Sequence, residues 1–234
     1  MVLNNYRALA EKIVSSQVKF FVRIGIKPNI LSLFGLFMAT LASICFALPQ
    51  YFIDSIWGWI PPIFFFLSGY LDLIDGGVAR ESGTASKFGA FLDSTLDRFG
   101  DSCFIIGLMI GNMLWNPSWI GGVQLNNIFG FIGLSITLLI SYTRSRAENE
   151  GVDMKGVGIM ERGERFFALL GGFIIEAILR KIIPFYNKAF FPVFYCVYLI
   201  LCTYTVVLRI IHSYKCLTGK LSNYQKEFEK KDKL

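Results

Sequence analysis

The sequence predicts an all-α integral membrane protein, with six transmembrane helices preceded by an N-terminal interfacial amphipathic helix. Three observations carry this. The chain of 234 residues is 54% apolar, contains 23 Phe and has a mean hydropathy of +0.52, values that belong to a membrane protein and exclude an ordinary soluble domain. Six stretches are apolar enough to cross a bilayer, which takes roughly 20 mostly apolar residues, or fewer where interfacial groups extend the ends. Lys and Arg fall overwhelmingly on one side of those stretches.

Taken in order, residues 1–27 form the predicted interfacial helix. Tyr6, Leu9, Ala10, Ile13, Val14, Phe20 and Phe21 recur at roughly helical spacing, with Arg7, Glu11, Lys12, Ser15 and Lys19 mostly opposite. The segment lacks the short apolar core and cleavage site of a signal peptide. Pro28 disfavours helix at Lys27 and is suited to begin the next one. The spans are then residues 30–48, 56–71, 99–114, 127–143, 166–179 and 190–208, within a six-helix domain of residues 28–215. The second and third are short, so their helices are expected to run past the lipid into the polar segment between them. Residues 216–234 form a charged tail. Four of the five cysteines lie in apolar runs and are expected as buried small hydrophobes, not a disulfide framework. With a cytoplasmic N-terminus, 20 of the 23 Lys and Arg face the cytoplasm, and only Arg180, Lys181 and Lys188 fall outside. The expected location is therefore the cell membrane, multi-pass, with both termini and the polar segment in the cytoplasm.

That polar segment carries the chemistry. Asp72 and Asp75 are three residues apart, and Asp93 and Asp97 four, so on helices each pair shares a face. The turn-rich ESGTASK between them lets two antiparallel helices bring all four carboxylates together. Two carboxylates about 4 Å apart repel by about 4 kcal/mol at an effective dielectric near 20. A cluster of four therefore calls for protonation or for a divalent cation, and all-oxygen ligation favours Mg²⁺ or Mn²⁺. Gly76, Ala79 and Gly89 leave room for a phosphate beside the backbone, and Arg80 can neutralise it. Taken singly, each Asp is equally well explained as an interfacial helix-end acid. The full pattern, D-x2-D-G-x2-A-R-x8-G-x3-D-x3-D, arises by chance with odds of roughly 10⁻⁹ per position.

This pattern resembles the signature of the CDP-alcohol phosphotransferase family at every fixed position, and the six-span layout with its preceding interfacial helix resembles that family too. The resemblance implies transfer of a phosphatidyl-type group from a CDP-lipid to an alcohol with release of CMP. It implies two divalent ions held by Asp72, Asp75 and Asp93, with Asp97 beside them as general base. It also implies that Asp72, Gly76, Ala79, Arg80 and Gly89 bind the CDP-lipid. The PNILS segment is similar to a family motif that adds Asn29 and Ser32 at the nucleotide end. The donor is expected to be CDP-diacylglycerol or CDP-archaeol drawn from membrane lipid. No His-based triad competes for the role of base, since His212 is the only histidine.

The acceptor is addressed by a second group of residues. Arg144 and Arg146 end the fourth span, Arg162 and Arg165 begin the fifth, and Arg209 ends the sixth, all toward the cytoplasm, where they could form an anion site. The positive-inside bias alone also places basic residues there. SYxRxRAE followed by ERxER resembles the subgroup that makes phosphatidylinositol phosphate or archaetidylinositol phosphate. That resemblance implies inositol phosphate as acceptor, its phosphate held by Arg144, Arg162 and Arg209, with Ser141, Arg146 and Arg165 in support. Ser145 stands where that subgroup often has Ala. A glycerol-phosphate acceptor is the alternative. An aspartate-rich prenyltransferase would need two separated acidic motifs, and a transporter would hold its acids near mid-span; neither pattern is present. A homodimer is expected from the family, with Gly171 and Gly172 available for close helix contact. No nucleic-acid partner is expected.

Overall fold

A computed structural model describes residues 14–54, 58–116, 118–183 and 185–219. All regular structure among these residues is helical. Helix α1 covers residues 14–24. It is followed by α2 (Pro28–Ala47), α3 (Ile60–Glu81), α4 (Lys87–Ile110), α5 (Gly122–Asn149), α6 (Arg162–Ile182) and α7 (Phe190–Leu217). As expected, α3 and α4 continue into the aspartate segment. Helix α4 stops at Ile110, short of the expected 114, because Gly111 caps it through Gly107 and Asn112 turns into the left-handed region at φ 51°.

Helices α2, α3, α5 and α7 are long and apolar enough to cross a membrane. Helices α4 and α6 have the length but carry more charge, including Asp93, Asp97, Arg98 and Asp101 on one and Arg162, Glu164 and Arg165 on the other. Large apolar side chains lie exposed along the helices, among them Phe34, Phe37, Phe131 and Ile200. Such surface is at home against lipid tails, not water.

The chain divides into two compact units. The first comprises the chain up to Met113 together with Phe173–Tyr186. Here α2 packs on both α3 and α4. Gly107 makes the α2–α4 crossing possible, since a Cβ there would lie 2.4 Å from the Ser43 carbonyl oxygen, and the Ser43 hydroxyl donates to the Cys103 carbonyl. Phe46, Phe65, Phe104 and Phe173 interlock as an aromatic core. Helix α1 buries Val18 among Leu31, Leu71, Ile74 and Val78, with Val14, Phe21 and Val22 alongside, while Lys19, Phe20, Arg23 and Ile24 stay exposed. The Tyr6–Ile13 half of the expected amphipathic segment lies outside the described residues, as does the tail beyond 219. Arg180, expected in an outer loop, is inside α6, where it donates to Glu176 at 2.7 Å and to Asp54 at 2.6 Å. Tyr186 also donates to Glu176, so this fully buried acid is held from two sides.

The second unit comprises Leu114–Gly172 and the chain from Asn187 onward, with α5 packed on α7. Tyr195 fills the space above Gly133, and Phe194 fills that above Gly172. Gly172 thus serves a contact within the chain, and only Gly171 of the pair faces open space.

Candidate active site

The acidic site belongs wholly to the first unit. Asp72 and Asp75 stand on α3, one turn apart, and Asp93 stands on the first turns of α4. One carboxylate oxygen from each lies within 4.8 Å of the other two. The connecting turn achieves this by ordinary means. Gly83 takes φ 66° to end α3, with the Thr84 amide closing on the Ala79 carbonyl at 3.1 Å. Ser86 caps α4 by accepting from the Gly89 amide at 3.0 Å.

Asp75 is buried, 5% exposed, and its Oδ2 accepts a 2.6 Å hydrogen bond from the Ser32 hydroxyl on α2. Asn29, one turn earlier on α2, brings its Oδ1 to 3.6 Å from where a Cβ on Gly89 would sit. The Arg80 guanidinium folds back over Gly76, 3.4 Å from the corresponding Cβ position. Of these residues Ser32 touches a carboxylate directly, Asn29 lies beside Gly89 on α4, and Arg80 lies over Gly76 on α3, the helix that also carries Ala79. Asp97 is one turn beyond Asp93, with a side chain 11% exposed and its Oδ2 3.7 Å from Arg98.

These residues fit a hard divalent cation. At a separation of 4.8 Å each ionised pair repels by about 3.5 kcal/mol at a dielectric near 20. Oxygen ligands about 2.1 Å from Mg²⁺ span roughly 3 to 4.2 Å across its octahedron, so small rotamer changes would bring the three oxygens onto one ion.

The arginines belong to the second unit. Ser141, Arg144 and Arg146 are on the last turns of α5, Arg162 and Arg165 on the first turns of α6, and Arg209 near the end of α7. Arg209 is 2% exposed and within electrostatic reach of Arg144, Arg165, Glu148 and Glu161. Its Nε donates to the Val157 carbonyl at 3.0 Å and its Nη1 to the Ile140 carbonyl. Arg165 is 5% exposed, whereas Arg162 is exposed. Arg144 pairs with Glu148 at 2.9 Å and Arg146 with Glu150 at 2.5 Å, each across one helical turn.

Sequence reasoning missed the acidic partners Glu148, Glu150 and Glu161. The i, i+4 spacing of Arg144 with Glu148 and of Arg146 with Glu150 was the available signal. It also missed Ser86, whose position three residues before Gly89 marks a helix start. His212 has its Nε2 3.1 Å from the Asp153 carbonyl.

Apolar helices exposing aliphatic and aromatic surface, and three carboxylates gathered between the ends of α3 and α4, are the features of a membrane protein with a candidate carboxylate metal site. The chain belongs to the CDP-alcohol phosphatidyltransferase family, whose pattern it matches over residues 26–179, a stretch that includes every aspartate described above. It is accordingly a metal-dependent transferase of phospholipid biosynthesis. It is 32% identical over 161 residues to the archaetidylinositol phosphate synthase of Pyrococcus horikoshii, covering 68% of this chain and 76% of that one. It is 30% identical over 218 residues to the phosphatidylinositol phosphate synthase of Cutibacterium acnes, covering 90% and 96%. Its fold is shared with the Mycobacterium tuberculosis phosphatidylinositol phosphate synthase crystallised with CDP-DAG bound. That likeness has a TM-score of 0.69 and 24% identity over 87% of this chain and 94% of that one. The same mycobacterial enzyme has also been crystallised with manganese and citrate, with a TM-score of 0.68.

Proposed function

We propose that this protein transfers a diacylglycerol- or archaeol-phosphate group from a CDP-lipid to inositol phosphate and releases CMP. The observation that carries the choice of acceptor is the convergence of Arg144, Arg165 and Arg209 in one unit, with Arg162 on the same helical turn as Arg165. A guanidinium cluster of this kind is suited to a dianionic phosphate and holds an uncharged alcohol far less strongly. The names of the relatives from Pyrococcus horikoshii and Cutibacterium acnes support the same acceptor.

In this reading Asp72, Asp75 and Asp93, with Asp97 adjoining, hold two Mg²⁺ or Mn²⁺ ions, and Ser32 steadies Asp75. When bound, such ions supply charge stabilisation to the pyrophosphate and to the departing CMP. The chain's own residues do the rest. Asn29, Gly76, Ala79, Arg80 and Gly89 receive the CDP part, the glycines by leaving space and Arg80 by charge. Arg144, Arg162 and Arg209, helped by Ser141, Arg146 and Arg165, hold the acceptor phosphate and so orient its free hydroxyl. Asp97 accepts the hydroxyl proton as the oxygen bonds to the lipid-bearing phosphorus and the bond from that phosphorus to the CMP oxygen breaks.

The surrounding architecture we propose is six membrane spans, with α4 and α6 added to the four apolar helices, in the cell membrane. Both termini face the cytoplasm, and the outward face of α1 (Lys19, Phe20, Arg23, Ile24) rests in the lipid headgroups. The active species is a homodimer. The test of the acceptor is a panel of inositol phosphate, inositol, glycerol phosphate and serine, scored by CMP release. Inositol phosphate should win. A preference for free inositol or serine would overturn the reading, while a preference for glycerol phosphate would keep the anion site and change only the alcohol.

A further inference from the structure

The loop joining α5 to α6, residues 150–161, is far from featureless. Val152, Met154 and Met160 are buried, and Met154 is completely enclosed with Ala147, Val157 and Cys216 around it. Its three glycines, at 151, 156 and 158, take positive φ. The loop is fastened to one face of α7 by three side chains spaced four and then three residues apart. Thr205 accepts from the Met160 amide at 3.0 Å, Arg209 donates to the Val157 carbonyl at 3.0 Å, and His212 lies 3.1 Å from the Asp153 carbonyl. The fit is close. Gly158 sits at φ 120°, and a Cβ there would come within 2.5 Å of Thr205 Cγ2.

Thr205 is the most deeply buried of these fastenings. It is fully buried, and its hydroxyl is used twice, donating to the Leu201 carbonyl at 3.1 Å while accepting from Met160. Met160 is two residues before the first residue of α6, whose first turn carries Arg162 and Arg165. Whatever fixes Met160 therefore fixes where those guanidinium groups begin. The next fastening along α7 is Arg209 itself, so one helical face carries both a member of the arginine cluster and the anchor for two others.

We infer that the 150–161 loop is a strap whose register on α7 sets the geometry of the arginine cluster, and that Thr205 is a positioning residue for the acceptor phosphate. It acts through Met160 on Arg162 and Arg165 and does not touch the substrate. This rests on the proposed reading of the acceptor.

The test uses the full-length protein in detergent, with CDP-diacylglycerol as donor and inositol phosphate as acceptor. Thr205→Val keeps the shape of the side chain and removes the hydroxyl, leaving a buried amide without its partner. It should raise the acceptor KM about tenfold while kcat and the donor KM stay within about twofold. Thr205→Ser restores the hydroxyl and should restore the KM. Amide hydrogen exchange over residues 152–160 should quicken in the Val variant and return to the parent rate in the Ser variant. Two results overturn the inference. In one, exchange quickens but the acceptor KM stays at the parent value, so the strap loosens without consequence. In the other, kcat and both KM values shift together and Ser fails to recover them, as for a general packing defect. The acceptor panel on the unmodified protein separates these from failure of the acceptor reading. If inositol phosphate wins there and Thr205→Val is silent, the strap alone is wrong. If a phosphate-free alcohol wins there, the acceptor reading fails and takes the inference with it.

Discussion

Asp72, Asp75 and Asp93 come from one short stretch and two successive helices, whereas Arg144, Arg165 and Arg209 come from three helices separated by long reaches of chain. The difference extends to what surrounds each group. The support from α2 to the acidic cluster is a neutral hydroxyl, Ser32 on Asp75. The arginine cluster is interleaved with counter-charges, Glu148, Glu150 and Glu161, and Arg209 is further tied to two backbone carbonyls. Three carboxylates so close call for protonation or for an external cation, and a cation bound there would supply much of their ordering. Arg144, Arg146 and Arg209 already have partners within the protein, and those partners compete with an incoming anion for their donors. One site should thus respond to substitution almost all-or-none, and the other by degrees.

The sharpest way to break this contrast is at the acids. Asn at Asp72, Asp75 or Asp93 should abolish measurable CMP release and lower the Mn²⁺ bound per protein, read by electron paramagnetic resonance, while leaving the protein folded in detergent. Wild-type activity in all three variants would remove the metal centre from the account. Asp97 should behave differently because it has a proton to accept. Asp97→Asn should cut kcat by about 10²- to 10⁴-fold with both KM values little changed. A rise in donor KM instead would give Asp97 a binding role and no other.

At the arginines, Arg144→Ala or Arg162→Ala should raise the acceptor KM by about 10- to 150-fold, the usual loss for a charged hydrogen-bond partner. Donor KM should hold, and a phosphate-free acceptor should be indifferent to the change. Ser32→Ala sits between the two regimes. Loss of an outer partner of a metal-binding carboxylate typically weakens the metal about 10- to 100-fold. Activity should therefore fall at limiting Mg²⁺ and recover when Mg²⁺ is raised. Failure to recover would mean that Ser32 serves the nucleotide and not Asp75.

How much of this was legible in the sequence follows from the same contrast. The acidic site was, because its geometry is local. Spacings of three and four on helices, with five residues from Ser82 to Ser86 between them, leave the carboxylates few arrangements. The span ends pointed to five arginines, of which the structure brings Arg144 and Arg165 within electrostatic reach of Arg209. The internal ties of that cluster were not legible, because they are long-range. Nothing in the sequence near Met160 indicates that its amide finds Thr205 forty-five residues away. Nothing near Gly158 announces the φ of 120° that lets the loop lie flat on α7. Glu176 stands in the sequence as a lone acid in an apolar run, and Arg180, expected in an outer loop, is its partner one helical turn on. Asp54 and Tyr186, which complete that buried group, come from other parts of the fold.

The smallest expected effect tests whether the arginines are in fact held back by their own counter-charges. Arg144 and Glu148 are 43% and 46% exposed at the side chain, and such a pair contributes only about 0–1 kcal/mol to folding. Glu148→Gln should therefore leave the melting temperature nearly unchanged. At the site it turns the charged competitor for Arg144 Nε into a weaker, neutral acceptor and removes a negative charge that repels the incoming phosphate. Acceptor KM should fall, by about threefold or less, and the gain should shrink as salt is raised past the point where the screening length drops below about 8 Å. The opposite sign is equally informative. If Glu148→Gln raises the acceptor KM, as Arg144→Ala does, then Glu148 holds Arg144 in its working orientation instead of competing for it. The arginine cluster would then resemble the acidic one after all, in needing a partner of opposite charge to keep its shape.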